Sequence, residues 1–169
     1  FRGGLRQPLD LVVKVPRQAI SESEVRVLNR EHRQIREQLG DIVPITVFAR
    51  TSIDDQPSMI AMAPNIRRWF DVANPIHEDE IKPLIGQSDR LRHALRHFVD
   101  AAEHWYATEH KVIDLYGRDN LIFDRNRHLH YIDSFSVFFY ADLLSVLPDP
   151  EPGLVERIRI SRERLAYLQ

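Results

Sequence analysis

The chain has 169 residues, 43% of them hydrophobic and 28% charged, which suffices for one ordinary domain or two small lobes. Lys and Arg total 23 against 25 Asp and Glu, and this net charge of −2 argues against a broadly cationic nucleic-acid-binding protein. The lack of cysteine excludes disulfides and thiolate sites. No apolar run reaches membrane-span length and no signal peptide is visible, so we expect a cytoplasmic protein without a membrane span.

The first 64 residues are predicted to form a small lobe rich in β-structure. In chain order the pattern predicts a strand at 11–15, a helix at 21–39 and strands at 43–49 and 58–62. Ser21 and Glu24 form a capping-box pair at the start of the helix. The helix has one stripe at helical spacing, made of Val25, Leu28, His32, Ile35 and Leu39. A turn-rich segment joins the last two strands and predicts a hairpin.

The remaining residues are predicted to form a mainly helical lobe. The pattern predicts short helical pieces within 65–87, broken at Pro75 and Pro83, and then a long helix at 88–109 that Ser88 can cap. It further predicts a hairpin of strands 121–123 and 129–132, about three helical turns at 136–147, and a helix at 153–168. A polar link near 63–67 joins the two parts. We therefore predict an α+β fold with lobes 1–64 and 65–169 and a ligand cleft between them.

The segment 112–135 carries the most informative chemistry. Asp114 follows a short apolar pair, Asn120 opens the predicted hairpin, and Asp133 closes it. Because a hairpin returns its chain, Asn120 and Asp133 should lie side by side. Two adjacent oxygen donors suit Mg²⁺, and Asp114, one loop away, could accept a proton from a hydroxyl group.

This pattern resembles the catalytic loop and metal-binding hairpin of the protein-kinase-like superfamily. The resemblance implies a two-lobed fold in which 112–135 holds the catalytic loop and the metal-binding hairpin. It also implies transfer of the γ-phosphate of ATP to a hydroxyl of a protein, sugar or small-molecule acceptor, with Mg²⁺ as cofactor. Asp114 and Lys14 would be catalytic, and Asn120 and Asp133 would bind the metal. The short C-terminal part is similar to compact bacterial members of this superfamily.

The resemblance extends to the first lobe. Lys14 corresponds to the lysine that holds the α- and β-phosphates of the nucleotide, and Glu31 corresponds to the helix residue that pairs with that lysine. Met62 lies at the position next to the gatekeeper. Ala63 and Asn65 fall in the hinge between the lobes, where the nucleotide would be bound.

Several features depart from the family pattern. The loop from Asp114 to Asn120 is one residue longer than usual, and Gly117 could accommodate the extra residue with a positive φ. The chain begins at Phe1, and no complete glycine-rich hairpin precedes the lysine strand, which suggests an N-terminally trimmed domain. These departures favour a second hypothesis, a non-catalytic kinase-like module that acts through protein interactions. A third is an interaction protein with an accidental resemblance.

Each candidate residue also has a structural interpretation. Lys14 could be a charge that protects an edge strand from pairing. Glu31 could be a solvated helix residue, with Glu24 as the competing partner of the lysine. Asn120 and Asp133 could be turn or cap residues of the hairpin.

The histidines and basic clusters have separate interpretations. Three histidines share one face of the predicted long helix: His93, His97 and His104. A single helix face rarely completes a metal site, so this pattern favours a polar face. His128 and His130 alternate along a strand and should point to one face of the hairpin. The basic clusters, Arg164 included, are mixed with acidic residues and predict solvated faces.

Overall fold

A computed structural model describes residues 10–16, 20–132, 137–146 and 152–169. The strands are β1 (Leu11–Lys14), β2 (Val47–Ile53), β3 (Gln56–Pro64), β4 (Arg68–Asp71), β5 (Lys111–Ile113), β6 (Leu121–Asp124), β7 (Leu129–Tyr131) and β8 (Phe138–Tyr140). The helices are α1 (Glu22–Leu39), α2 (Glu78–Gly86), α3 (Asp89–Glu109), α4 (Leu143–Val146) and α5 (Pro152–Tyr167). The α+β class is as predicted.

The first sheet is antiparallel, with strand order β1-β3-β2. Helix α1 packs on one face of this sheet, where its Val25 joins Met59 and Ala61 of β3 in a small hydrophobic cluster. β2 and β3 join in a turn of two residues, Asp54 and Asp55, whose φ angles are 51° and 59°. Turns of this kind match the twist of paired strands. The strands therefore continue into the segment that was predicted as a longer turn.

Helix α1 begins as the capping-box pattern predicts. The backbone N–H of Ser21 donates to Glu24 Oε2 at 2.7 Å, and the Glu24 N–H donates to the Ser21 hydroxyl oxygen at 3.3 Å. Together these bonds satisfy backbone donors that the first helical turn leaves without partners. Glu24 is thus used in the cap and is not the partner of Lys14.

Two small sheets form the frame of the second part. One has the order β4-β6-β7, and its β6–β7 hairpin confirms the predicted one; the other pairs β5 with β8. In the predicted helical run 136–147, the described residues form β8 and then the short α4. A short apolar run does not distinguish a buried strand from a helix, and here pairing with β5 selects the strand.

The predicted break at Pro83 is wrong, since α2 continues through it. Pro83 removes one backbone hydrogen bond, but burial of Ile81, which is 3% exposed, supports this short helix in the core. Pro75 instead begins a 3₁₀ turn that Asn74 caps, with the Ile76 N–H donating to Asn74 Oδ1 at 3.2 Å. Strand β4 in the same region was not predicted.

The larger hydrophobic core crosses the predicted lobe boundary at position 64. It joins Ile35 and Leu39 of α1 to Phe98 and Trp105 of α3 and to the β6–β7 hairpin. Each large side chain fully buried there contributes roughly 1.5–3 kcal/mol to folding. This shared core fixes α1 relative to the loop that follows β5, because Leu115 of that loop belongs to it. Across the described ranges, no helix combines the length and apolar character needed to cross a bilayer.

Candidate functional site

The loop between β5 and β6 is organised by Asp114, the predicted catalytic residue. Its N–H donates to the carbonyl oxygen of Val137 at 2.9 Å, directly after the β5–β8 pairing. Asp114 is 6% exposed, and its Oδ1 accepts a hydrogen bond from the Tyr116 N–H at 2.8 Å. These bonds hold the carboxylate in a fixed position at the base of the loop.

Asn120 connects this loop to the hairpin. Its side-chain Nδ2 donates to the backbone carbonyl oxygen of Asp114 at 3.1 Å. Its backbone carbonyl oxygen accepts from the Ile132 N–H at 2.9 Å. The structure therefore brings Asp114 and Asn120 together and places the residue before Asp133 beside Asn120. Asp133 lies outside the described residues, so its place next to Asn120 stays a prediction.

Gly117 has a different role from the one predicted. Its φ is not positive; the left-handed residue of the loop is Asp119, with φ 66°, a conformation that Asp tolerates better than most residues. A Cβ at position 117 would lie 2.6 Å from Asn120 Oδ1 and 2.8 Å from its Nδ2. A larger residue at position 117 would therefore displace the Asn120 side chain from its present position.

Helix α5 supports the loop through two side chains that the sequence analysis missed. Arg164 Nη1 donates to the carbonyl oxygen of Leu115 at 2.6 Å and to those of the next two residues at 3.2 and 2.9 Å. The fully buried Ser161 hydroxyl accepts from the Leu115 N–H at 3.1 Å. The signal was available in part, because Ser161 lies between Ile158 and Leu165 on the apolar stripe of the helix.

Asp71, at the end of β4, is a second buried carboxylate beside the loop. It is 3% exposed, its Oδ2 accepts from the Asp119 N–H at 3.2 Å, and its Oδ1 has no hydrogen-bond partner among the described residues. Burial raises the pKa of Asp71, while the bond from Asp119 and the charge of Arg164 oppose that rise. Arg68 forms an ion pair with the Asp119 carboxylate. The backbone N–H of Asp119 is thus held by Asp71 and its side chain by Arg68.

Lys14 points into a cavity between the first sheet and the hairpin. Its Nζ donates to the carbonyl oxygen of Ile132 at 3.4 Å, and the side chain is half-buried. The cavity measures about 190 Å³. Its walls include Lys14, His32, Thr46, Ala63, Asn65 and Tyr131. β1 is an edge strand of its sheet, and Lys14 is half-buried there rather than fully solvated.

The predicted hinge residues line this cavity. Ala63 and Asn65 do so, and Asn65 is held by Asp10, whose carbonyl oxygen accepts its N–H at 2.9 Å. Met62 is not among the described residues that line the cavity. Side chains alternate along a strand, so Met62 lies on the opposite face of the sheet, where its pairing partner Val13 is 55% exposed.

Glu31 has a different partner from the predicted one. It is 5% exposed and accepts a hydrogen bond from the Tyr140 hydroxyl. Burial, and then this bond to the Glu31 carboxylate, raises the pKa of Tyr140. Among the described residues no Lys14–Glu31 ion pair forms, since Lys14 contacts Ile132 instead. Successive helix residues point about 100° apart, and here His32 rather than Glu31 faces the cavity.

His32 was predicted only as one member of the apolar stripe of α1. It is 6% exposed and meets the Phe48 ring edge-on with 5.4 Å between ring centroids. Burial, followed by the nearby charge of Arg36, lowers the pKa of His32. At neutral pH this part of the cavity wall is therefore an uncharged imidazole. A histidine within an apolar stripe was the signal that could have indicated this position.

Replacing Tyr140 by phenylalanine should lower the free energy of unfolding by about 1–3 kcal/mol, because the buried Glu31 carboxylate would lose its donor. Urea unfolding followed by circular dichroism measures the change. Tyr116→Phe is the matched control, since Tyr116 is 43% exposed and should unfold like the wild type. If Tyr140→Phe were as stable as the wild type, Glu31 would need another partner, and Lys14 would again be the first candidate.

Comparisons with protein-family models, with curated proteins and with solved structures give no match for this chain. Function must therefore be inferred from the contacts themselves. These contacts join Asp114, Asn120 and Ile132 in one network, and they place Lys14 and Asn65 around one cavity.

Proposed function

We propose that the chain is an ATP- and Mg²⁺-dependent phosphotransferase of the protein-kinase-like fold, with the nucleotide bound between two lobes. The observation that carries this proposal is the contact from Lys14 Nζ to the carbonyl oxygen of Ile132 at 3.4 Å. It brings the predicted phosphate-binding lysine to the residue that precedes the predicted metal ligand Asp133. Residues 118 positions apart in the chain thus meet where the phosphates would lie.

The pairing of the first sheet supports the same proposal. β1 pairs directly with β3, and Lys14 lies opposite Ala61, two residues before the hinge residue Ala63. Ala63 and Asn65 line the cavity that Lys14 enters. One nucleotide could therefore reach the hinge with its base while its phosphates reach the lysine.

The residues of the loop suit a magnesium ion. The side-chain Nδ2 of Asn120 donates to the backbone carbonyl oxygen of Asp114, so the side-chain amide oxygen of Asn120 is the atom that would bind the cation. Asp133, which follows Ile132 beside Asn120, would supply a carboxylate, and Mg²⁺ commonly uses one or two such protein ligands together with phosphate and water. When bound, Mg²⁺ neutralises charge on the transferring phosphoryl group.

Asp114 would orient the acceptor hydroxyl and take its proton during transfer. Its backbone is fixed by β5–β8 pairing, by Asn120 and by Tyr131, whose hydroxyl donates to the Asp114 carbonyl oxygen at 3.1 Å. A carboxylate held in this way needs little reorganisation before reaction, and such positioning supplies much of the rate in phosphoryl transfer. The acceptor class is a hydroxyl of a protein, sugar or other small molecule.

Thermal unfolding with and without nucleotide tests the proposal. Mg²⁺ with ATP at about 100 times Kd should stabilise the fold by about 2.7 kcal/mol and raise Tm by roughly 5–10 °C. ATP alone should raise Tm less. Lys14→Met should remove most of the shift, whereas Lys82→Met, at a 73% exposed side chain on α2, should retain it. Asp133→Asn should abolish the part that depends on Mg²⁺. If neither ligand moves Tm, the proposal fails.

The second candidate is a non-catalytic kinase-like binding module. The observation that favours it is the cavity volume of about 190 Å³, which is below the roughly 300–1,000 Å³ of most ligand sites. A module of this kind could bind nucleotide or none, and would show no transfer. Release of ADP from ATP by the wild-type chain, measured in the presence of candidate acceptors, distinguishes the two functions.

A further inference from the structure

Three potential metal ligands converge at the closed end of the β6–β7 hairpin, the end opposite Asn120 and Ile132. They are Asp124, His128 and His130, here termed the hairpin triad. One ligand atom from each lies within 4.8 Å of the other two. Asp124 Oδ2 is 3.4 Å from His128 Nδ1 and 3.3 Å from His130 Nε2. These separations suit three ligands around one ion after small side-chain movements.

The hairpin turn aims these side chains at one another. Asp124 Oδ1 accepts from the N–H groups of Asn126 at 2.9 Å and His128 at 2.8 Å, which fixes the turn. Its second carboxylate oxygen therefore faces the two imidazoles. His128 and His130 lie on one face of the hairpin, as predicted, with ring centroids 5.9 Å apart. The backbone thus preorganises the triad rather than leaving it to flexible surface chains.

The side chains of the hairpin triad are partly buried, and one of their nitrogen atoms has no hydrogen-bond partner among the described residues. The side chains of Asp124 and His130 are 13% and 15% exposed, and that of His128 is 36% exposed. His130 Nδ1 is buried and has no hydrogen-bond partner among the described residues. Because Nε2 is the nitrogen that faces Asp124, this Nδ1 lies on the other side of the ring, where a water molecule would satisfy it without competing for the ligand atom.

A further carboxylate lies in the same region. Asp41, in the 3₁₀ turn Gly40–Ile42 that follows α1, lines two neighbouring cavities together with His128 and His130. Its carboxylate is not among the ligand atoms that lie within 4.8 Å of one another, so it would complete the coordination through water. An ion held there would connect the hairpin turn to the segment between α1 and β2.

We propose that the hairpin triad binds a divalent transition-metal ion of the zinc class. Two imidazoles and one carboxylate are a ligand set typical of Zn²⁺, Co²⁺ and Ni²⁺, whereas Mg²⁺ and Ca²⁺ prefer oxygen ligands alone. This site is separate from the magnesium site proposed at Asn120 and does not depend on phosphotransfer. The competing interpretation is a metal-free cluster in which both histidines simply hydrogen-bond to Asp124.

Zinc titration of chelator-treated protein by isothermal titration calorimetry tests the proposal. One Zn²⁺ should bind per chain, and millimolar Mg²⁺ should not displace it. His128→Gln and His130→Gln should each weaken zinc binding at least about 10–100-fold. Loss of a residue that only positions a metal ligand already costs that much affinity, and these variants remove a ligand itself. His104→Gln, at an exposed histidine of α3, should bind zinc as the wild type does.

No zinc binding by the wild type would overturn the proposal, as would unchanged affinity in both triad variants. The wild-type chain offers a second measurement that does not depend on the folding of variants. In a Co²⁺ titration, the imidazole NMR signals of two of the eight histidines should shift or broaden before the others. Equal effects on all eight would indicate loose surface binding and would also overturn it.

Discussion

Replacing Asp114 by asparagine should lower the rate of phosphotransfer about 100- to 10,000-fold while binding of Mg²⁺ and ATP persists. The asparagine oxygen can still accept the hydrogen bond from the Tyr116 N–H, so the turn of the loop should be retained. The amide cannot take the proton of the acceptor hydroxyl. The measurement is transfer of labelled γ-phosphate at saturating ATP, with the Tm shift by Mg²⁺ and ATP recorded on the same protein.

Asp119→Asn is the matched control. It makes the same aspartate-to-asparagine change at a different residue, five positions further along the same loop. Asp119 forms a surface ion pair with Arg68, and such pairs contribute only about 0–1 kcal/mol. Asparagine also tolerates the φ of 66° found there. The control should therefore transfer phosphate at nearly the wild-type rate. Wild-type turnover by Asp114→Asn would remove Asp114 from its proposed role.

The elements that could be predicted from the sequence are those with local signals. The Ser21–Glu24 capping box starts α1, and Ser88 caps α3 by accepting from the Leu91 N–H at 3.3 Å. The hairpin that carries Asn120 was predicted because two short β runs flank a polar turn. In each case the physical cause lies within a few residues of its effect.

The features that were missed depend on contacts between distant parts of the chain. β5 and β8 are three residues each, and only their mutual pairing makes them strands. Arg164 lies in a charged helix, and nothing local distinguishes it from arginines that face solvent. Its contact with Leu115 spans 49 residues. Tertiary contacts of this kind override local propensity.

Errors of one residue explain the two largest differences within the site. On α1, a shift of one position rotates a side chain by about 100°, so His32 lines the cavity while Glu31 reaches Tyr140. On β3, the same shift moves a side chain to the other face, which separates Met62 from the cavity. Residue type and order could not determine which face of the helix or strand each of these side chains occupies, because that depends on packing against distant elements.

The replacement Gly117→Ala should slow phosphotransfer about 100-fold and lower the free energy of unfolding by about 1–3 kcal/mol. The new Cβ would lie 2.6 Å from Asn120 Oδ1, so the Asn120 side chain must move and its bond to the Asp114 carbonyl must lengthen or break. The proposed metal ligand and the catalytic loop would then lose their common anchor. Steady-state kinetics and urea unfolding measure the two effects.

Gly86→Ala provides the control, because a Cβ there meets nothing within 4 Å and its φ is not positive. In a helix this change should leave the rate unaltered and raise stability by up to about 1 kcal/mol. The double variant Gly117→Ala with Asn120→Ala then isolates the clash. It should regain stability relative to Gly117→Ala alone yet stay inactive, a non-additive result expected of residues in direct contact. Full activity in Gly117→Ala would show that the position of the Asn120 side chain does not limit the reaction. The metal-binding role proposed for the Asn120 amide oxygen would then have to be abandoned.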